Sequence, residues 1–168
     1  MSAGFKTRRV LTMAFSLALA AGAAALPAAK PEVRAKIVAP PSLPAGTRTV
    51  VTVELSVGPG WHVNSHSPAD ALLIPTDLAL ATSAGSLSPV RYPAPVERRF
   101  SFSDTPLSVY EGVVTFEADL ELPAVPGKAT LEGGLTYQAC NDRQCFAPAT
   151  LQLESSITIT DASAPSHK

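Results

Sequence analysis

The sequence runs to 168 residues, a length that fits one domain rather than two. Its formal charge is −1 and it has no basic run interleaved with aromatics, which excludes a nucleic-acid footprint. With 46% hydrophobic and 16% charged residues, the composition fits a globular protein.

Residues 1–25 read as an export signal. Lys6, Arg8 and Arg9 form a basic start, the apolar stretch "VLTMAFSLALAAGAAAL" follows, and Ala23-x-Ala25 offers a cleavage site. The competing reading is a transmembrane anchor, for which this Ala-rich stretch is short against the ~17–25 residues that span a bilayer. Arg8-Arg9 also gives the segment a twin-arginine look. Removing the three basic residues from the 13 in the chain leaves ten against 14 acidic ones, a charge of −4 for the exported part. Export implies an oxidising compartment, where a cysteine pair can persist as a disulfide.

Residues 26–160 read as one β domain. "VRAKIVA" alternates through Val33, Ala35 and Ile37, and "TVVTVELSV" through Val51, Val53, Leu55 and Val57. "VVTFEADLEL" sets Val114, Phe116, Ala118, Leu120 and Leu122 inward, and "LQLESSITIT" does so with Leu151, Leu153, Ile157 and Ile159. Such period-two patterns belong to strands with one buried and one wet face. Breakers such as "APPSLPAG", "GPG", "SPVRYPAP" and "LPAVPGK" separate them, and no stretch carries a helical period. Many short strands joined by turns predict an all-β, immunoglobulin-like β-sandwich, with Trp61 as a core residue. Residues 161–168, "DASAPSHK", read as a flexible tail.

Both cysteines lie in "TYQACNDRQCFAP", at Cys140 and Cys145. As a structural staple the pair is weak: closing a loop of about six residues is worth only ~2 kcal/mol, against about 4–5 for a loop of ~100. Continuing the alternation through "LEGGLTYQAC" buries Leu131, Leu135 and Tyr137 and turns Cys140 to the other face, which predicts an accessible thiol. The two cysteines can face each other across a hairpin mouth, at a separation a disulfide tolerates. A zinc site would need His62 and His66 as further ligands, and nothing in "WHVNSHSPAD" directs them to the cysteines, so no metal is expected. Spacing alone leaves a redox pair and a passive disulfide balanced.

"YQACNDRQCFAP" resembles the redox motif of the N-terminal periplasmic domain of DsbD, the thiol:disulfide interchange protein of bacteria. "GWHVNSHSPADALLIPTDLAL" and "PLSVYEGVVTF" resemble the family's Gly-Trp and Val-Tyr-Glu-Gly segments, and the likeness covers about residues 31–160. The resemblance implies a thiol–disulfide oxidoreductase type of activity in which Cys140 and Cys145 shuttle between dithiol and disulfide, with Cys145 attacking and Cys140 resolving. It implies a cap loop in "RRFSFSDTPL" carrying Phe102, or else Phe100, over the disulfide; the competing reading of these rings is same-face strand packing. His62 and Asn64, just after the tryptophan, and Tyr137 of the Tyr-Gln-x-Cys run are expected around the pocket. No cofactor is called for, since electrons pass between sulfur atoms. The expected partners are periplasmic thioredoxin-fold proteins met by a monomer, with cytochrome maturation as one setting. The family's full-length protein continues into a membrane domain and a thioredoxin-like domain; this sequence carries neither, so a separate membrane reductase is expected as electron source. The alternative is a non-enzymatic immunoglobulin-like binding or assembly domain with a structural disulfide.

Overall fold

The computed structural model describes residues 30–162, so the export signal and most of the tail lie outside the described residues. The described chain is all β and forms the expected immunoglobulin-like sandwich. One sheet holds β1 (Val33–Val38), β3 (Arg48–Val57), β9 (Gly112–Glu121) and β6 (Ser86–Leu87), in the order β1-β3-β9-β6. The facing sheet holds β2 (Ser42–Pro44), β12 (Ala149–Thr160), β10 (Gly127–Tyr137) and β5 (Asp77–Thr82), in the order β2-β12-β10-β5. All pairings are antiparallel except β2 with β12.

The alternating residues meet between these layers. Val53, Leu55 and Phe116 pack with Leu78, Leu135 and Leu153, while Val51 and Leu120 pack with Leu131, Ile157 and Ile159. Each such buried side chain contributes about 1.5–3 kcal/mol relative to exposure, enough to fix the strand phase because a one-residue slip would turn the whole set outward.

A third sheet stands apart, in the order β11-β4-β8-β7. It comprises β4 (His62–Asn64), β7 (Val96–Arg98), β8 (Leu107–Tyr110) and β11 (Ala139–Cys140). Three of its strands continue long strands of the sandwich. β3 turns through Gly58–Trp61 into β4, β8 runs through Glu111 into β9, and β10 passes Gln138 into β11. Two of these bends rest on left-handed glycines, Gly60 at φ 76° and Gly112 at φ 63°, a region that other residues rarely adopt. The extensions of both layers thus converge in one small sheet, which carries the cysteines.

Candidate functional site: a cysteine hairpin

Cys140 and Cys145 are disulfide-bonded, with Cα atoms 4.0 Å apart, and they pair as an antiparallel bridge. The hairpin is closed by backbone bonds from Asn141 N to Gln144 O (3.0 Å) and from Phe146 N to Ala139 O (2.9 Å). Between the cysteines, the Asn141 side-chain oxygen accepts from the backbone N–H groups of Arg143 (2.9 Å) and Gln144 (3.0 Å). Asparagine favours such turns because its side chain mimics a backbone acceptor.

The exposure of the two cysteines departs from the strand-phase expectation. Cys140 does fall in phase with Thr136 and Gln138, away from the sandwich core, yet it is only 1% exposed. At Gln138 the chain leaves its sheet and joins β4, so the face opposite the core is no longer the solvent face. Cys140 pairs with His62 on one side and with Cys145 on the other. Cys145 is the exposed member. His62, Cys140 and Cys145 therefore form one cross-strand row whose side chains share a face.

The loop between β7 and β8, residues 99–106, packs on the His62 end of this row. The Phe100 ring stacks on His62 with centroids 4.1 Å apart, and Phe102 stacks on Phe100 at 5.3 Å. Phe100 is half-buried, whereas Phe102 is 47% exposed, so Phe100 and not Phe102 is the inner ring. Neither lies in a strand, which replaces the strand-packing reading. Ser101 Oγ donates to the Asp142 carbonyl at 3.4 Å, joining the loop to the cysteine hairpin.

Asn64, fully buried two residues beyond His62, anchors the other side. Its Nδ2 donates to the Ile74 carbonyl (2.8 Å) and to Gln138 Oε1 (3.2 Å), and Gln138 Nε2 donates to the Phe146 carbonyl (3.2 Å). This relay ties β4 to the strand leaving Cys145. Tyr137, expected at the pocket, instead packs in the sandwich core, because the alternation sends it to the face opposite Gln138. Trp61, expected in the core, is half-buried at its margin with its ring edge-on to Phe146, centroids 5.3 Å apart. His66 stacks on Tyr92 at 3.6 Å. Among the described residues no three His, Cys, Asp or Glu side chains converge as metal ligands.

A cleft of about 450 Å³ opens beside the row, lined by Trp61, His62, Phe100, Glu111, Gly112 and Asp142 among others. Burial pushes the His62 imidazole below its ordinary value of 6.5, and the negative charges of Glu111 and Asp142 work against that shift. Glu111 is itself held by Arg98, with Nη2 and Oε2 2.9 Å apart. Glu111, Gln138, Asn141 and Phe146 were not singled out from the sequence. Gln138 and Phe146 flank the cysteines, and Asn141 two residues before Arg143 is an Asx-turn signal; Glu111 carries no local signal for its role.

The family model "Thiol:disulfide interchange protein DsbD, N-terminal" matches residues 28–156. The chain belongs to the DsbD N-terminal family. Among solved structures, the N-terminal periplasmic domain of ScsB from Proteus mirabilis is similar at 18% identity and a TM-score of 0.50. That match covers 74% of this chain and 45% of the other, so the chain spans under half of the ScsB domain. The Neisseria meningitidis DsbD n-terminal domain in the reduced form aligns at 18% identity and a TM-score of 0.41, covering 69% of this chain and 86% of the other. No curated protein matched the sequence. As a member of the DsbD N-terminal family, the chain carries a cysteine pair, and that pair is the disulfide of this hairpin.

Proposed function

We propose that this chain is an exported, periplasmic module that passes reducing equivalents to partner proteins through Cys140 and Cys145. The observation that carries this reading is the asymmetry of the pair: Cys145 is exposed at the hairpin mouth and Cys140 is buried. In the dithiol form, the Cys145 thiolate attacks a disulfide sulfur of the partner, forms a mixed disulfide and expels the partner's other sulfur as a thiolate. Cys140 then attacks Cys145 Sγ, closes the intramolecular disulfide and releases the remaining partner sulfur. Two electrons leave the pair and the partner's disulfide becomes a dithiol. Thioredoxin-fold proteins are the partners, and a membrane reductase refills the pair.

Access selects Cys145 for the first attack, since exchange requires a thiolate that an incoming disulfide can reach. The Phe100–Phe102 loop acts as the cap, displaced when a partner docks. Residues 26–160 form the exchange domain, and 1–25 supply export and are cleaved.

Single-cysteine trapping tests the reading. Cys140→Ala, which keeps the attacking thiol, should accumulate mixed disulfides with periplasmic thioredoxin-fold proteins, and Cys145→Ala should not. A reduction potential below about −300 mV for the purified domain, together with no trapped partner from either variant, would instead identify a structural bond.

A further inference from the structure

Along the row, His62 stands where Cys140 needs a partner for its proton. The two residues are in register across β4 and β11, which sets their Cβ atoms about 4.5–5.5 Å apart on one face. His62 is 2% exposed, and its Nε2 is buried without a hydrogen-bond partner. A buried polar atom left unpaired costs about 1–3 kcal/mol, so its persistence beside a reactive sulfur calls for a role. Phe100 stacks on the ring and holds it in place. On its other side the ring borders the cleft, which gives the imidazole a route to solvent.

We infer that His62 is the proton acceptor for Cys140 in the resolving step, an inference that rests on the exchange reading above. As Cys140 Sγ attacks Cys145 Sγ in the mixed disulfide, the Cys140 thiol proton passes to His62 Nε2. The electron pair of the S–H bond becomes the new S–S bond, and the pair of the broken S–S bond leaves with the partner's thiolate. The imidazolium then gives its proton to solvent through the cleft. Run backwards, the same ring returns a proton to Cys140 when the disulfide is reduced.

The charged groups around the ring fit this task. Glu111 from the β8–β9 link and Asp142 from the cysteine hairpin face it, and both favour the imidazolium once it forms. Arg98 of β7 is engaged with Glu111 and does not oppose it. Burial keeps the ring neutral, hence a free base, before the step begins.

The test uses the reduced domain mixed with glutathione disulfide, quenched in acid and read by mass spectrometry as the Cys145–glutathione adduct. In His62→Phe, which keeps an aromatic ring for Phe100 to stack on, the adduct should form at the wild-type rate. It should then decay at least about tenfold more slowly at pH 7, a floor set below the roughly 10²- to 10⁴-fold that a positioned base contributes. The gap should close as pH rises far enough for Cys140 to ionise unaided, where it no longer needs a base. Equal decay at pH 7, or slowing by the same factor at every pH, would overturn the role and leave His62 a packing residue. If the variant does not fold, the wild-type ring decides: its titration midpoint by NMR should differ between disulfide and dithiol forms, and identical midpoints overturn the inference. A wild-type domain that never forms the adduct sinks the exchange reading itself, and the role of His62 with it.

Discussion

Phe100 lies over His62 with ring centroids 4.1 Å apart and planes 24° from parallel, and His62 is in turn the cross-strand partner of Cys140. The proposed cap is therefore a stack of rings held by local packing on the neighbour of Cys140. Such pairs are worth about 0.5–1.5 kcal/mol beyond the area they bury. Phe100→Ala should raise the open population, and with it the rate of reduction by dithiothreitol, by roughly 2- to 12-fold. Phe102→Ala, removing only the outer ring, should do less. Reduction rates that are equal in wild type and Phe100→Ala would show that these rings do not guard the bond.

The depressed proton affinity of His62 makes stability depend on pH. Because the folded state holds the ring neutral while the unfolded chain protonates it near its ordinary value of 6.5, the unfolded state binds more protons below that pH. The contribution is full above about 6.5 and is lost as pH falls through the lower folded value. Denaturant midpoints taken between pH 7.5 and 5 should drop for wild type and drop less for His62→Phe. A variant that follows the wild-type slope would remove His62 as its source.

Asn64 and Gln138 couple β4 to the cysteine hairpin. Asn64→Ala strips two part-buried hydrogen bonds from a fully buried residue and should cost about 1–3 kcal/mol in chemical denaturation. A double-mutant cycle with Gln138→Ala should return a coupling of at least about 0.5 kcal/mol, the sign that the two amides act as one network. Strict additivity would mean that the contact at 3.2 Å contributes nothing measurable.

Stability should reside mainly in the sandwich, with the disulfide a smaller contributor. Phe116→Ala, at 0% exposure between the layers, should cost about 3–5 kcal/mol. Val113→Ala, three residues earlier and 66% exposed, should stay within about 0.5 kcal/mol of wild type. Replacing both cysteines by alanine should cost about 2 kcal/mol, the worth of so short a loop, and leave the domain folded. Unfolding of the double variant at room temperature would make the bond a structural one.

The strands of the two layers were legible because their sequence alternates cleanly. Val51, Val53, Leu55 and Val57 are all buried, as are Phe116, Ala118, Leu120 and Leu122. The third sheet was not, because its strands are two to four residues long and inherit their phase from longer ones. The misjudged exposure of Cys140 has the same origin. Alternation reports which residues share a face, but what covers that face is decided by segments distant in sequence, here β4 and the loop 99–106. Trp61 shows the converse: a large apolar ring reads as core, yet a left-handed turn at Gly60 delivers it to the edge. The aromatic pair Phe100 and Phe102 could be named from sequence, whereas which of them lies innermost depends on the path of an irregular loop.

β10 and β12 remain paired from Gly127↔Ile159 to Tyr137↔Ala149, and the cysteines sit just beyond the end of that ladder. Breaking the disulfide leaves the ladder intact, so the freed sulfurs stay at a very high effective concentration with respect to each other. A mixed disulfide at Cys145 thus has an intramolecular competitor beside it from the moment it forms. Under the proposed exchange, a covalent complex with a partner would be short-lived for this geometric reason, and the module would release its partner quickly whatever the strength of their noncovalent contact.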